Sequence, residues 1–351
     1  MKRFNVTGTC VGGKHYMVDI SGKLDQIEKL VEAEHYFTIN RARQYGKTTT
    51  LLHLKKRLDG NKDYICTSIS FGSVGLNVFE NEKNFCNMFL QKISDSLEFS
   101  NATSEYAKEW YNTDVMCIGT LDRHVTRMCK GKKVVLMVDE VDKSSNNRLF
   151  LHFLGLLREK YLARQASMDH TFHTVILAGI TDIKNIKLKM VNDGAYEPKR
   201  KEGGIFNSPW NIAASFKVDM SFNAEEISTM LREYEMDNKT GMDITAVAHE
   251  ISKHTSGYPF LVSRICQCID EELGKDWSVI GVEEAVNIIL FEGSVLFDDM
   301  AKNMGNYKCL YDFMYELLIV GETKAFNLGV SVISLANAFG YIKTSNRSRK
   351  R

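Results

Sequence analysis

Proline is scarce in this chain, 3 in 351 residues, and so is any imbalance of charge. Few prolines mean few enforced breaks in helices, which predicts a compact and largely helical body. Lys plus Arg number 45 against 44 Asp plus Glu, leaving a net charge of +1. No overall field therefore draws the molecule onto nucleic acid or anionic lipid, and any such binding has to be local. No apolar run approaches the roughly 20 residues of a membrane span. The opening Met1-Lys2-Arg3-Phe4-Asn5-Val6-Thr7 lacks the apolar stretch of a signal peptide. The expectation is a cytoplasmic protein with no membrane partner. The 8 cysteines are dispersed, and the close pair Cys266 and Cys268 sits two apart in a helical pattern that sends the thiols to different faces. They read as reduced core residues and not as metal ligands. Internal repeats and low-complexity segments are missing too, which excludes solenoid and fibrous classes.

What is present is ordinary globular composition, 44% hydrophobic and 25% charged. At about 150 residues per domain, the length suggests two units. The spacing of apolar residues predicts a short strand at Phe4–Thr7, a helix over Ile20–Glu32 and a strand at Tyr36–Asn40. A helix over Lys47–Leu58 follows a six-residue loop, then a strand at Tyr64–Phe71. Helices are expected at about 81–99, 104–111 and 121–129. The run Val134-Val135-Leu136-Met137-Val138 has the form of a strand buried on both faces, as in a parallel sheet. Arg148–Leu162 reads as a helix, Phe172–Ala178 as another buried strand and Phe216–Met220 as a last one. Glu197-Pro198-Lys199-Arg200-Lys201-Glu202-Gly203-Gly204 reads as an exposed loop. Beyond Asn223 the pattern is almost wholly helical, over 224–234, 243–253, 260–273, 282–290 and 311–319. Strands alternating with helices, then helices alone, predict an α/β parallel-sheet core followed by a helical module, with a boundary near residue 222.

Two segments carry chemistry. Asn40-Arg41-Ala42-Arg43-Gln44-Tyr45-Gly46-Lys47-Thr48-Thr49 lies between a buried strand and a helix. A phosphate-binding loop needs that context, because amides at a helix start surround the phosphates and the helix dipole favours their charge. Lys47 would reach the β- and γ-phosphates and Thr48 would ligate Mg²⁺. The first glycine of the Walker A pattern G-x-x-x-x-G-K-[ST] is Arg41 here, while Gly46 directly before the lysine is present. The second segment, Val138-Asp139-Glu140-Val141-Asp142, is a strand ending in adjacent carboxylates. Asp139 is expected to hold Mg²⁺ and Glu140 to polarise a nucleophilic water, the Walker B arrangement. Asp142 reads as a helix-capping or solvated residue.

These segments resemble the predicted AAA-like ATPases of bacteria, within the wider STAND and initiator-like P-loop groups. The resemblance rests on the stretch from Tyr36 to Thr49, on Asp139-Glu140-Val141-Asp142, on Val175-Ile176-Leu177-Ala178-Gly179 with Asp182 and Lys184, and on Ser256-Gly257-Tyr258-Pro259-Phe260-Leu261. It covers nearly the whole chain. In that family an arginine-bearing loop replaces the first glycine, so Arg41 matches the family pattern. The resemblance implies a P-loop NTPase (AAA-like) core at residues 1–222, a helical lid at 223–303 and a small winged-helix-like module at 304–351. It implies that residues 41–49 bind ATP, that Thr181 or Asp182 reads the γ-phosphate, and that Gly257 and Pro259 touch the nucleotide. By the same likeness, His15-Tyr16-Met17-Val18-Asp19 lines the adenine.

Other residues carry more than one reading. Arg41 and Arg43 either touch phosphate, or act across an oligomer as arginine fingers, or are solvated; Arg264 is either a sensor arginine or a surface residue. Lys199-Arg200-Lys201 has no interleaved aromatic residue and reads as a solvated loop. Asp312 with Glu322-Thr323-Lys324 mimics a nuclease metal site, but too little chain follows to build that fold. The reading that results is Mg²⁺-dependent ATP hydrolysis driving a switch that a protein partner reads, with self-association as one route to a complete site. The alternatives are a nucleotide-binding scaffold with little catalysis and a DNA-acting ATPase, so nucleic-acid binding stays open.

Overall fold

The computed structural model describes residues 2–100, 102–111, 114–144, 148–180 and 210–343. The chain divides into two compact units, Gln26–Asn40 with Thr50–Lys217, and Met1–Asp25 with Arg41–Thr49 and Val218–Arg351.

The first of these units is built on a four-stranded sheet. In chain order come α1 (Ser21–Glu32), β1 (Phe37–Asn40), α2 (Lys47–Asp59), β2 (Tyr64–Ser70), α3 (Glu82–Glu98), α4 (Ser104–Trp110), α5 (Ile118–Cys129), β3 (Lys133–Asp139), α6 (Arg148–Gln165) and β4 (Thr174–Gly179). The strand order is β1-β4-β3-β2, with every pairing parallel. Parallel neighbours cannot be joined by tight turns, so each connection crosses over with a helix. Val134, Leu136 and Val138 face a core formed with Phe85, Phe89, Phe150 and Phe153 from α3 and α6, while Val135 and Met137 between them are equally buried. Both faces of the sheet are thus covered, which is why these strands read as continuous apolar runs. Under the same core the Lys160 ammonium is buried against Asp122, Asp169 and Thr126, at 2.7–2.8 Å.

The second unit is helical, with α7 (Ala224–Asn238), α8 (Ile244–Thr255), α9 (Pro259–Glu271), α10 (Val279–Phe291), α11 (Val295–Asn306), α12 (Lys308–Tyr315) and α13 (Ser331–Ala338). The start of α7 is fixed by a reciprocal cap: the Asn223 side chain accepts from the Glu226 amide at 2.8 Å, and the Glu226 carboxylate accepts from the Asn223 amide at 2.9 Å. Phe4 and Tyr16 from the N-terminal segment pack with Tyr234 and Trp277, ring centroids 4.8–5.9 Å apart, so this segment completes the helical core. Beyond it, α12 and α13 share a small core of Leu310, Phe313, Met314, Ile333 and Ala336. Among the described residues, no helix is long and apolar enough to cross a membrane.

Two expected strands do not form. Phe4–Thr7 forms no strand; the residue before it, Arg3, makes an isolated bridge with His15. Phe216–Met220 pairs with no neighbouring strand, and its Val218 carbonyl is taken by a side chain. The Val218 carbonyl accepts from Arg41 at 3.0 Å, and the Asp219 carboxylate accepts from the amide and hydroxyl of Ser221 at 3.0 and 2.7 Å.

Candidate functional site

The carboxyl edge of the sheet gathers four strand ends. Asn40 lies opposite Gly179, and Ser70 opposite Asp139, so the ends of β1, β4, β3 and β2 stand in a row. Open parallel sheets bind ligands at this edge. Asn40 is also the residue from which the 41–46 loop departs. Asp139 is buried, its Oδ1 accepting from the Glu140 amide at 2.8 Å and its carbonyl from the Phe71 amide at 3.1 Å.

Glu140, by contrast, is exposed and takes a left-handed backbone, φ +56°. A non-glycine residue there costs on the order of 1 kcal/mol, a strain that collects at functional positions. Its carboxylate is held by the Ser70 hydroxyl, which donates to Oε2 at 3.0 Å and in turn accepts from the Gly72 amide at 3.0 Å. Gly72 makes room for this arrangement, since a Cβ there would stand 1.4 Å from Glu140 Oε2. Asp142, read as a cap or a solvated residue, is half-buried and reaches the neighbouring strand end. Its Oδ1 accepts from the Ile180 amide at the end of β4, and a Cβ on Gly179 would fall 2.0 Å from it. Thr181 and Asp182, the expected γ-phosphate sensors, and Lys184 lie outside the described residues, as does the 197–204 loop.

The loop itself belongs to the other unit. Gln44 at φ +57° and Gly46 at φ +76° flank Tyr45, an alternation of hand that turns successive amides toward one side. Immediately after it α2 begins at Lys47, and Thr48 is exposed on its first turn. The Lys47 ammonium donates to the carbonyls of Arg41 at 2.9 Å and Ala42 at 2.7 Å. Arg41 is half-buried, and burial draws its pKa down while Tyr45 and Asp219 act in the opposite sense. Arg43 is mostly exposed and donates to Asp299 at 3.0 Å. Thr49 Oγ1 accepts from the Cys10 amide at 3.1 Å, which ties the N-terminal segment to this helix start.

Gly257 at φ +74° is pressed against the Phe222 main chain, where a Cβ would lie 1.8 Å from the Phe222 carbonyl oxygen, and Pro259 is the first residue of α9. That accounts for the glycine and the proline within the fold. Between them Tyr258 donates its hydroxyl to the Arg43 carbonyl at 2.6 Å, and its ring meets that of Tyr45 edge-on, 4.6 Å between centroids. Ser70, Gly72, Asp142 and Tyr258 were not singled out for these roles from the sequence. Two of them had a signal, Asp142 in the strand-end motif and Tyr258 between Gly257 and Pro259. In the segment read as adenine-lining, Tyr16 and Val18 are core residues. Arg264 is paired with Glu272 and Glu292 at 2.7 and 2.6 Å. Asp312 pairs with Lys308, and Lys324 with Glu316 and Glu322.

The Thr48 hydroxyl in one unit and the Asp139 carboxylate in the other are each hard oxygen donors of the kind Mg²⁺ takes, and Asp139 Oδ1 accepts a hydrogen bond from the Glu140 amide. A separate group with metal-ligating atoms, Glu250, His254 and Glu283, is crossed by the Lys253 ammonium on Glu250 at 2.6 Å.

A family model described as the AAA-like domain matches residues 13–275, more than half of the chain, and the chain belongs to that family. No curated protein sequence matches it. Among solved structures, the Walker-type ATPase Paby2304 of Pyrococcus abyssi aligns with a TM-score of 0.57 at 10% identity, over 98% of this chain and 95% of that one. The Holliday junction branch migration motor RuvB of Thermotoga maritima aligns at 0.45 and 14% identity, over 92% and 86%. Cdc6p of Pyrobaculum aerophilum aligns at 0.45 and 15%, over 78% and 68%. At such identities the likeness is one of fold, and it rests on the first of the three. The parallel-sheet α/β core with its many helices accords with a P-loop NTPase, and family membership supports nucleotide binding.

Proposed function

We propose that this protein is a Mg²⁺-dependent ATPase whose cycle drives a conformational switch read by a protein partner. One observation carries the reading: Asn40, which leads into the lysine loop, and Asp139-Glu140 end strands on the same carboxyl edge, with β4 between them. In this reading the amides of residues 41–46 and the start of α2 cradle the phosphates of ATP. Lys47 leaves the Arg41 and Ala42 carbonyls for the β- and γ-phosphates. Thr48 and Asp139 would hold Mg²⁺, which when bound neutralises charge developing on the phosphates. Glu140 orients the attacking water, and its positive φ together with the Ser70 bond supports that role, because an aimed carboxylate avoids reorganisation during the reaction. The roles of Asp182 as sensor and of Gly257 and Pro259 beside the nucleotide are part of the same proposal.

The proposed organisation is an NTPase core at 1–222, a helical lid at 223–303 and a small winged-helix-like module at 304–351, for which the helix pair of α12 and α13 is the support. Exposed apolar side chains at the end of α10, Phe291, and in the segment after α12, Leu318 and Ile319, support contact with a partner. Titration of the full chain with MgATP tests the reading. Wild-type protein should bind and hydrolyse ATP, and Lys47→Ala should lose at least about tenfold in affinity through the missing charge-assisted bonds. Undiminished affinity in Lys47→Ala would remove the phosphate-loop reading.

A further inference from the structure

Three successive carbonyl oxygens of the 41–46 loop are held by side chains. Lys47 holds those of Arg41 and Ala42, and Tyr258 holds that of Arg43. The two holds differ in kind. An ammonium that moves to a phosphate must release its carbonyls, whereas an uncharged tyrosine hydroxyl has no such competitor and keeps its bond. The loop would then depend on Tyr258 for its shape at the moment the lysine is withdrawn.

Tyr258 is well fixed for that task. It is 7% exposed and stands directly before Pro259, whose ring restricts the backbone of the preceding residue. Its ring packs on Tyr45 of the loop, and Ala42, Tyr258 and Leu296 form a small apolar cluster. The remaining side is closed by Gly340 at φ +81°, where a Cβ would come within 3.1 Å of both the Tyr258 ring and the Ala42 side chain. A ring held by Tyr45, Ala42 and Gly340 leaves its hydroxyl one direction, toward the Arg43 carbonyl.

We propose that Tyr258 is a positioning residue of the nucleotide site, whose hydroxyl holds the Arg43 carbonyl and so keeps the phosphate loop in shape when Lys47 turns to a phosphate. The proposal rests on the reading of Lys47 as the phosphate-binding lysine. Tyr258→Phe in the full chain removes one oxygen and keeps the ring contacts. Steady-state hydrolysis with MgATP should show KM raised about fivefold, the scale of one neutral hydrogen bond, with kcat within about twofold. Amide exchange in residues 42–46 should quicken in the MgATP-bound variant, while the melting temperature without nucleotide stays close to that of the wild type. A purely structural role would lower the melting temperature and the active fraction without moving KM, and that result would overturn the proposal, as would an unchanged KM. If Lys47→Ala loses nucleotide and Tyr258→Phe does not differ from wild type, this inference alone falls. If Lys47→Ala binds like wild type, the phosphate-loop reading falls and takes this one with it.

Discussion

Gly72→Ala isolates the aim of the Glu140 carboxylate from the presence of that carboxylate. The added Cβ would sit 1.4 Å from Oε2 and 2.6 Å from Cδ of Glu140, and 3.1 Å from the Ser70 hydroxyl oxygen. A tolerable contact is about 3.4 Å, so Oε2 has to retreat by about 2 Å, and the far end of a flexible, exposed glutamate can do so by changing rotamer. The fold therefore loses little, and the melting temperature should move by no more than about 3 °C. The bond from Ser70 is lost with the move. A displacement of 1 Å in a reacting geometry can cost about a hundredfold, so kcat should fall by at least that factor. Affinity for MgATP should stay within about twofold, since Gly72 belongs to the turn after β2 and not to the phosphate loop. Pre-steady-state hydrolysis of radiolabelled ATP, beside equilibrium titration and thermal melting, separates the three effects. Wild-type turnover in a folded Gly72→Ala protein would refute the reasoning, because it would mean that catalysis does not use Glu140 where Ser70 holds it.

Two further predictions concern the scaffold. Lys160→Met leaves Asp169 without its buried ammonium partner and should cost about 3 kcal/mol in urea unfolding, with MgATP affinity unchanged. Burial pushes the Asp169 carboxyl up, but the bonds from Lys160 and Thr126 pull it further down, to below the ordinary carboxylate value. Its contribution is therefore full above that ordinary value and is lost as pH falls through the depressed one, a dependence that urea titrations at low pH should find weakened in Lys160→Met. Burial also lowers the pKa of His15, His124 and His173 below the ordinary 6.5, with nearby cations acting in the same sense. At His173 the Glu34 carboxylate opposes this. The unfolded chain takes up protons below that value before the folded one does, so stability should decline as pH drops from 7.5 to about 5.5. A melting temperature flat over that range would contradict the assignment.

The sheet was legible in the sequence because its strands are buried on both faces, which turns β3 and β4 into unbroken apolar runs. The helix after the loop was legible for a complementary reason, as Gly46 and Lys47 mark its start and Leu51, Leu54 and Leu58 its buried side. What failed were short apolar segments that find no neighbouring strand. Phe216–Met220 has the composition of a strand, yet its Val218 carbonyl goes to the Arg41 side chain, and no local pattern announces a partner 177 residues away. The helix α11 went unread because Asp298, Asp299 and Gly305 blur its periodicity, although Ser294 caps it by accepting from the Phe297 amide at 3.2 Å. The site divides along the same line. Lys47, Asp139 and Glu140 stand in linear motifs, whereas Ser70, Gly72 and Tyr258 act through contacts between segments far apart in the chain.

The account turns on one carboxylate and is tested most directly by single-turnover hydrolysis in Glu140→Gln. The substitution keeps the size of the side chain and the Ser70 contact but removes the charge that polarises water. The prediction is MgATP binding equal to that of the wild type with hydrolysis slowed at least about a hundredfold, as for loss of a general base. Equal hydrolysis in the two proteins would contradict it.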